Sequence, residues 1–358
     1  MTLLRLLILT PTAFPKTTGN ATSAERWRRA LSEQGAVVKV VETKQTAAQD
    51  LIRCLESFRP HIIHAHHISL SGGLMLDPLI SERYGSLPLV ISSSGNDVNK
   101  NQLKKADIEE LGKICRRARF IIAQSSDITM QLQKILPGLN DRIVYVAKAF
   151  SWFGDDCFDL RSAAGCQPDD ILFFMPAGIR PVKGNLECLL ALEETHSADG
   201  KIRALFAGPA LDPVYANRFT EEIQRLQTFA RWIQIPLQAM RSAYTGADVV
   251  LNHSSSEGLS NALIEAVAAG RPVLASDIPG NSWLRNTEKD ADFAAWFFDP
   301  NDRADFVRKA LRLAEPAHRE SLAAAARRMA LRLPQARDEA RYLLEIYKKA
   351  GRLQDSTT

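Results

Sequence analysis

A chain of 358 residues is too long for one ordinary hydrophobic core and suits two domains of about 150–200 residues each. With 46% apolar and 24% charged residues and no apolar run near the ~18 residues of a membrane helix, it reads as a globular chain. The net charge of +4 is uneven: residues 1–150 hold 20 basic against 13 acidic side chains, and residues 151–358 hold 25 against 28.

Basic clusters at Arg26, Arg28 and Arg29 and at Arg116, Arg117 and Arg119 can attract anionic lipid or an anionic acceptor. A solvated helix face accounts for them as well. A peripheral membrane contact through the basic first half is therefore an expectation, and no nucleic-acid partner is expected. Five cysteines, scattered and without C-x2-C spacing, argue for reduced structural thiols over a zinc site or a disulfide framework. Arg5 interrupts the apolar start at Leu3–Thr10, which reads as a buried strand, so the expected compartment is the cytoplasm.

In chain order, Leu6–Leu9 predicts a strand, Thr10–Ala21 a polar loop with Gly19-Asn20, and the following segment a helix with Ala24, Trp27, Ala30 and Leu31 on its apolar face. Val37–Val41 predicts a second strand. This opening is Rossmann-like but lacks G-x-G-x-x-G, so no dinucleotide cofactor is expected. A helix near Ala47–Ser57 precedes the run His61 to His67, where strand alternation places Ile62 in the core and leaves His64 and His66 on one side of the backbone. Imidazoles at i and i+2 would need further ligands to hold a metal, and the neighbouring sequence offers none. Pro88–Ser92 and Phe120–Gln124 predict further strands, the first ending in Ser93-Ser94-Gly95-Asn96-Asp97-Val98-Asn99, and Arg142–Ala147 leads out toward the second domain.

Trp152–Asp170 has little regular spacing and contains Gly154, Gly165 and Pro168, which predicts a linker. Its aspartate pairs, Asp155-Asp156 and Asp169-Asp170, read as turn and cap residues. Ile171–Met175 is a buried strand delivering Gly178, Arg180 and Lys183 to the start of a helix near Asn185. Cations at a strand's C-terminal end beside a helix start suit an anionic ligand. A strand–turn at Ala204–Gly208, Ile233 to Pro236 and a helix at Leu237–Tyr244 follow. Beyond Asp299-Pro300 the chain is helical from Arg303, broken at Pro334, and helical again over Arg337–Ala350.

The most informative stretch is Asn252 to Asn281, NHSSSEGLSNALIEAVAAGRPVLASDIPGN. It reads as strand, glycine-containing loop, helix, strand, with polar residues crowded at the strand's C-terminal end, where open α/β sheets bind ligands. Glu257 is expected at the loop–helix junction and Glu265 two turns further along the same helix face. The backbone N–H groups of Gly258, Leu259 and Ser260, before Asn261, would offer a helix start to an anion.

This stretch resembles the nucleotide-sugar-binding segment of the retaining GT-B glycosyltransferases of the family 4 type, with E-x7-E inside S-x-x-E-G-x-x-x-x-x-x-E-A. Ser254, Glu257, Gly258, Glu265, Ala266, Gly270, Pro272-Val273 and the DIPGN ending all match. The resemblance implies two Rossmann-like doubly wound α/β domains facing a central cleft. An acceptor-side domain at 1–150 would be joined by a crossover helix at 335–358, and a donor domain would span 151–334. It implies metal-independent transfer of a sugar from a nucleotide sugar, UDP-sugar favoured, to an unknown acceptor with retention, and no other cofactor. Arg180 and Lys183 would neutralise the diphosphate, Glu257 would contact sugar hydroxyls and Glu265 the ribose. Gly178, Gly258, Leu259, Ser260 and Asn261 would line the donor. Gly19 and Asn20 would face donor and acceptor, and His64, His66, Ser94, Gly95 and Asp97 the cleft, with His67 beside them.

Two departures stand out. The family's common H-G-x-D strand end carries Ser94 where the histidine would stand, and the usual G-R-x4-K spacing is G-x-R-x2-K here. A branch resembling the glycosyltransferase-1-domain-containing proteins also lacks that histidine, with G-T-D-V-N, and this chain resembles it most. A non-catalytic nucleotide-sugar-binding protein, a sugar-nucleotide epimerase of GT-B fold and a selenosugar- or thiosugar-forming relative remain alternatives.

Overall fold

A computed structural model describes residues 3–98, 103–285 and 294–355, the side chains of residues 96 and 353–355 excepted. Asn99, the last residue of the expected strand-end motif, lies outside the described residues, as do residues 356–358 of the expected crossover helix. The chain divides into two compact units, residues 1–151 with 334–358, and residues 152–333.

In the first unit β1 (Arg5–Thr10), α1 (Gly19–Glu33), β2 (Val37–Glu42), α2 (Ala48–Phe58), β3 (Ile62–His66), α3 (Pro78–Tyr84), β4 (Leu89–Ser92), α4 (Lys105–Arg117), β5 (Phe120–Ala123), α5 (Ser126–Ile135) and β6 (Ile143–Tyr145) alternate. The six strands form one parallel sheet in the order β2-β1-β3-β4-β5-β6. The second unit contributes α6 (Leu160–Ala164), β7 (Ile171–Pro176), α7 (Asn185–Ala198), β8 (Ile202–Ala207), α8 (Pro213–Arg225), β9 (Ala230–Ile233), α9 (Met240–Gly246), β10 (Val249–Asn252), α10 (Asn261–Ala268), β11 (Val273–Ser276), β12 (Ala295–Phe298), α11 (Arg303–Leu313) and α12 (Pro316–Ala330). Its parallel order is β12-β11-β10-β7-β8-β9. The chain then re-enters the first unit as α13 (Ala336–Asp355).

Both sheets are covered on both faces, the usual fate of an all-parallel sheet. Leu6 and Ile8 of β1 pack with Trp27 and Leu31 of α1 and with Leu343 and Tyr347 of α13. Leu7 and Leu9 point the other way, into a cluster with Leu51, Leu55, Leu111 and Ile114. The second sheet divides likewise, Phe173 and Met175 to one side and Leu172 and Phe174 to the other. Hydrophobic runs rather than alternating patterns mark these strands, because neither face meets water.

The segment from Trp152 to Asp170 is not the linker that its composition predicts. It is packed on the second unit: Asp156 and Phe158 donate backbone N–H bonds to Gln238 and Ser242. Asp159 caps α6 by accepting from the Ser162 N–H. Asp170 accepts from the Gln167 N–H at 2.7 Å and pairs with Arg203 at 3.0 Å, a turn residue locked to the sheet. The helix expected over Leu237–Tyr244 opens as a 3₁₀ turn, Leu237–Ala239, before α9. Among the described residues no helix is long and apolar enough to cross a membrane.

Candidate functional site

In the second sheet the strand order reverses between β7 and β10, which are paired neighbours. Ligands of open α/β sheets bind outside the carboxyl ends of strands at such a switch point. The loops leaving these two strands carry Arg180 with Lys183, and Glu257. The Ser255 N–H donates to the Val182 carbonyl at 3.0 Å and ties the loops together.

Lys183 ends a 3₁₀ turn, Pro181–Lys183, and its Nζ lies 2.5 Å from Glu257 Oε1. The same oxygen accepts from Ser254 Oγ at 2.7 Å and from Asn252 Nδ2 at 3.1 Å. Burial alone would raise the Glu257 carboxyl, but the Lys183 ammonium and the Ser254 and Asn252 donors hold it below the usual carboxylate range. Only 7% of the Glu257 side chain and 17% of the Lys183 side chain is exposed, so the pair is screened far less than a surface ion pair. Two glycines permit this packing. At Gly184, φ is +62° and a Cβ would sit 2.4 Å from the His253 carbonyl oxygen. At Gly280 a Cβ would lie 2.2 Å from the Glu257 carbonyl oxygen, so the PGN turn rests directly on the Glu257 backbone.

Arg180 is extended, its N–H donating to Asn185 Oδ1 at 3.2 Å, and its buried Nε has no hydrogen-bond partner among the described residues. Gly178 stands just before it in the same loop. Gly258, Leu259 and Ser260 lead into α10, which Asn261 begins. The expectation that Glu257 and Glu265 share a helix face fails: the helix starts four residues after Glu257, which turns instead toward the end of β10. Glu265 is half-buried inside α10. Burial first, and then the Glu265 charge beside it, push the Tyr244 phenol well up.

In the first unit, Thr18 caps α1 by accepting from the Ala21 N–H, so Gly19 and Asn20 are the first helical residues rather than part of the preceding loop. Asp97 is buried and organises the loop after β4. It accepts from Ser93 Oγ at 2.7 Å, from the Ser94 and Gly95 N–H groups at 3.1 Å each, and from the Ile68 N–H at 2.8 Å. Gly95 takes φ +91° there. His67, in the uncommon φ +85° conformation, places Nδ1 3.6 Å from Asp97 and accepts from the Leu70 N–H.

His64 and His66 are core residues, not cleft residues. His64 is fully buried and stacks on Trp27 with centroids 4.9 Å apart; its nitrogens meet Tyr347 Oη at 2.7 Å and Ser92 Oγ at 3.0 Å. His66 packs edge-on against Trp27, with Nδ1 2.9 Å from the same Ser92 Oγ. Burial drives His64 down to about 3 and His66 well below its ordinary value, so both are neutral. They share the Ile62 side of β3, and in a sheet covered on both faces that side is also core.

Comparison with known proteins bears on this geometry. Residues 169–316 match the family described as glycosyl transferases, group 1. The matched residues lie within the second unit. Along the sequence, the chain is 24% identical over 276 residues to glycosyltransferase 1 domain-containing protein 1 of Xenopus tropicalis, covering 74% of this chain and 76% of that protein. Sucrose-phosphate synthase from Thermosynechococcus elongatus superposes with a TM-score of 0.80 at 15% identity, over 97% of this chain and 98% of the other. HepE of Anabaena in complex with UDP-glucose superposes with a TM-score of 0.78 at 15% identity, over 97% and 100%. The fold is GT-B, two six-stranded parallel α/β sheets.

Within the matched residues, Lys183 and Glu257 meet because β7 and β10 are neighbours, although they are 74 positions apart, and Arg180 lies on the same loop as Lys183. Reading by motif assigns no role to Asn252 or Asn281. Asn281 is fully buried and donates Nδ2 to Asn252 Oδ1 and to the Ser276 carbonyl, both at 3.0 Å. The available signal is the polar residue ending each of two otherwise apolar strands, Asn252 on β10 and Ser276 on β11.

Proposed function

We propose that the chain transfers a sugar from a nucleotide sugar, UDP-sugar favoured, to an acceptor, with retention of configuration and without a metal. The observation that carries this reading is the meeting of Lys183 with Glu257 at the switch point of the second sheet, with Arg180 on the same loop as Lys183, inside the residues that match the glycosyl transferases group 1 family. The neighbour HepE was crystallised with UDP-glucose, which supports a UDP-sugar donor.

In this reading Lys183 and Arg180 face the diphosphate. The buried, unpartnered Nε of Arg180 is a donor awaiting an anion, and desolvated cations stabilise a leaving group far more strongly than exposed ones. The starts of α7 and α10 add backbone N–H groups and helix-dipole charge to the same anion, which is how the site dispenses with a divalent cation. Glu257 exchanges Lys183 for sugar hydroxyls when the diphosphate takes the ammonium, and Glu265 holds the ribose. Gly178 and the Gly258–Asn261 segment line the donor. Gly19 and Asn20 face the donor diphosphate as well as the acceptor, and Ser94 and Gly95 serve the acceptor side, where Asp97 shapes the loop. Positioning and leaving-group stabilisation then do the catalysis.

A thermal-shift screen against UDP-, GDP- and ADP-sugars tests the reading. By mass action a ligand at about 100 times its Kd adds about 2.7 kcal/mol of stability, and a UDP-sugar is expected to do so. No shift with any nucleotide sugar overturns it. Binding without turnover identifies a nucleotide-sugar-binding protein instead, and a C2-epimer formed without acceptor identifies an epimerase.

A further inference from the structure

We propose that Asn281 is a positioning residue for Glu257: it fixes the orientation of the Asn252 amide, and through it the direction in which the Glu257 carboxylate presents itself to the donor sugar. The proposal rests on the donor reading above for its ligand. The orientation itself follows from the hydrogen bonds alone.

The chain of bonds begins at a group with no choice. The Ser276 carbonyl at the end of β11 can only accept, so the atom of Asn281 that faces it at 3.0 Å is the amide nitrogen. That same Nδ2 lies 3.0 Å from the side chain of Asn252, which must therefore present its oxygen. The Ser254 N–H, which can only donate, approaches the same Asn252 oxygen at 3.4 Å and agrees with the assignment. With Oδ1 turned to Asn281, Asn252 has its Nδ2 left for Ser254 Oγ at 3.3 Å and for Glu257 Oε1 at 3.1 Å. Three donors, Asn252, Ser254 and Lys183, thus pin one carboxylate oxygen, and the direction of the other is set by geometry.

Two further observations separate this from ordinary packing. The Asn281 Oδ1 is buried without a hydrogen-bond partner among the described residues, an unfavourable arrangement that a residue kept only to fill space would not need. The preceding glycine, Gly280, is the residue whose Cβ would collide with the Glu257 backbone. The PGN turn therefore fixes both the main chain of Glu257, by contact, and its side chain, by the relay. An amide flipped at Asn252 would turn its oxygen onto the Glu257 carboxylate, acceptor against acceptor.

The test uses the full chain, with UDP-glucose and UDP as probes in calorimetric titrations. Asn281→Asp is isosteric but presents only acceptors, so Asn252 flips. It is expected to weaken UDP-glucose by about tenfold or more while UDP changes by less than about twofold, because only the sugar meets Glu257. Asn281→Leu is expected to show the same split should the buried aspartate not fold. In the background of Asn252→Ala, Asn281→Asp is expected to add less than about twofold, the non-additivity of a shared network. Equal loss of UDP and UDP-glucose, no loss of either, or additive effects in the double variant would overturn the relay. Should the wild-type chain bind neither probe, the donor reading falls. The relay is then decided by the Glu257 carboxyl followed by carbon NMR, where Asn281→Asp is expected to raise its titration and an unchanged titration overturns the proposal.

Discussion

The strand ends of the two sheets use polar residues in opposite ways. In the first unit the polar groups at the ends of β3 and β4 are satisfied inside the fold: His64, His66 and Ser92 bond to one another and to Tyr347, and Asp97 is surrounded by N–H and O–H donors. In the second, Lys183, Glu257 and their supports converge at a switch point, and the Arg180 guanidinium keeps a buried nitrogen without a partner among the described residues. Satisfied networks make a site rigid, whereas an unmet donor makes it ready to bind. Substitutions in the first group should therefore act on stability, and those in the second on turnover.

The largest expected effect falls on turnover. Lys183→Ala and Glu257→Ala should each lower UDP-sugar turnover by about 10²–10³-fold, the scale of a lost transition-state donor, while stability falls by less than for Glu339→Ala, because Ser254 and Asn252 still donate to Glu257 when Lys183 is lost. A drop in stability matching the drop in rate would break the contrast. Glu339→Ala should do the reverse. Glu339 of α13 takes two bonds from Arg26 of α1, at 2.9 and 3.3 Å, and one from Gln124 after β5 at 2.6 Å, all of them buried. Its loss leaves a buried guanidinium unpaired and should cost about 3–5 kcal/mol, seen in denaturant unfolding as an earlier transition of the first unit.

The next effect is a pH dependence carried by the first unit. A histidine whose folded pKa is depressed gives stability that is present above its unfolded value and lost as pH falls below it. His64, neutral down to about 3, should therefore cost about 1.4 kcal/mol per pH unit below about pH 6.5, and His66 should add to it. His64→Gln should flatten that slope in acid-unfolding curves; an unchanged slope would assign it elsewhere. Glu257 acts in the second unit in the carboxylate range only, its contribution present above about pH 4.3 and lost on acidification through its lowered folded value. The smallest effect belongs to the exposed pair Arg241–Asp155: Asp155→Ala should move stability by less than about 1 kcal/mol, checked by thermal unfolding.

The strands were legible because an all-parallel sheet covered on both faces demands continuous apolar runs, and Leu6–Leu9 and Ile171–Met175 supply them. The same rule, applied to His64 and His66, would have put them in the core at once. The family resemblance places them at the cleft, but a strand with no wet face gives a histidine nowhere to present a ligand. Trp152–Asp170 misled for a different reason. Its glycines and prolines mark turns, and turns belong equally to a linker and to a loop packed on a domain. Here the Gln238 and Ser242 contacts, more than 80 positions away, decide the matter.

The sequence by itself determined the local pieces of the candidate site in the second unit. Strand, glycine loop and helix start are local features, and S-x-x-E-G-x6-E-A spells them within thirty residues, with Arg180 and Lys183 spelled the same way after β7. Only the tertiary structure decided which residues meet. Lys183 reaches Glu257 because β7 and β10 are neighbours in the sheet, and Asn281 reaches Asn252 because β11 lies beside β10. Strand order is a property of the assembled sheet, set by how helices cover its two faces, and no local spacing encodes it.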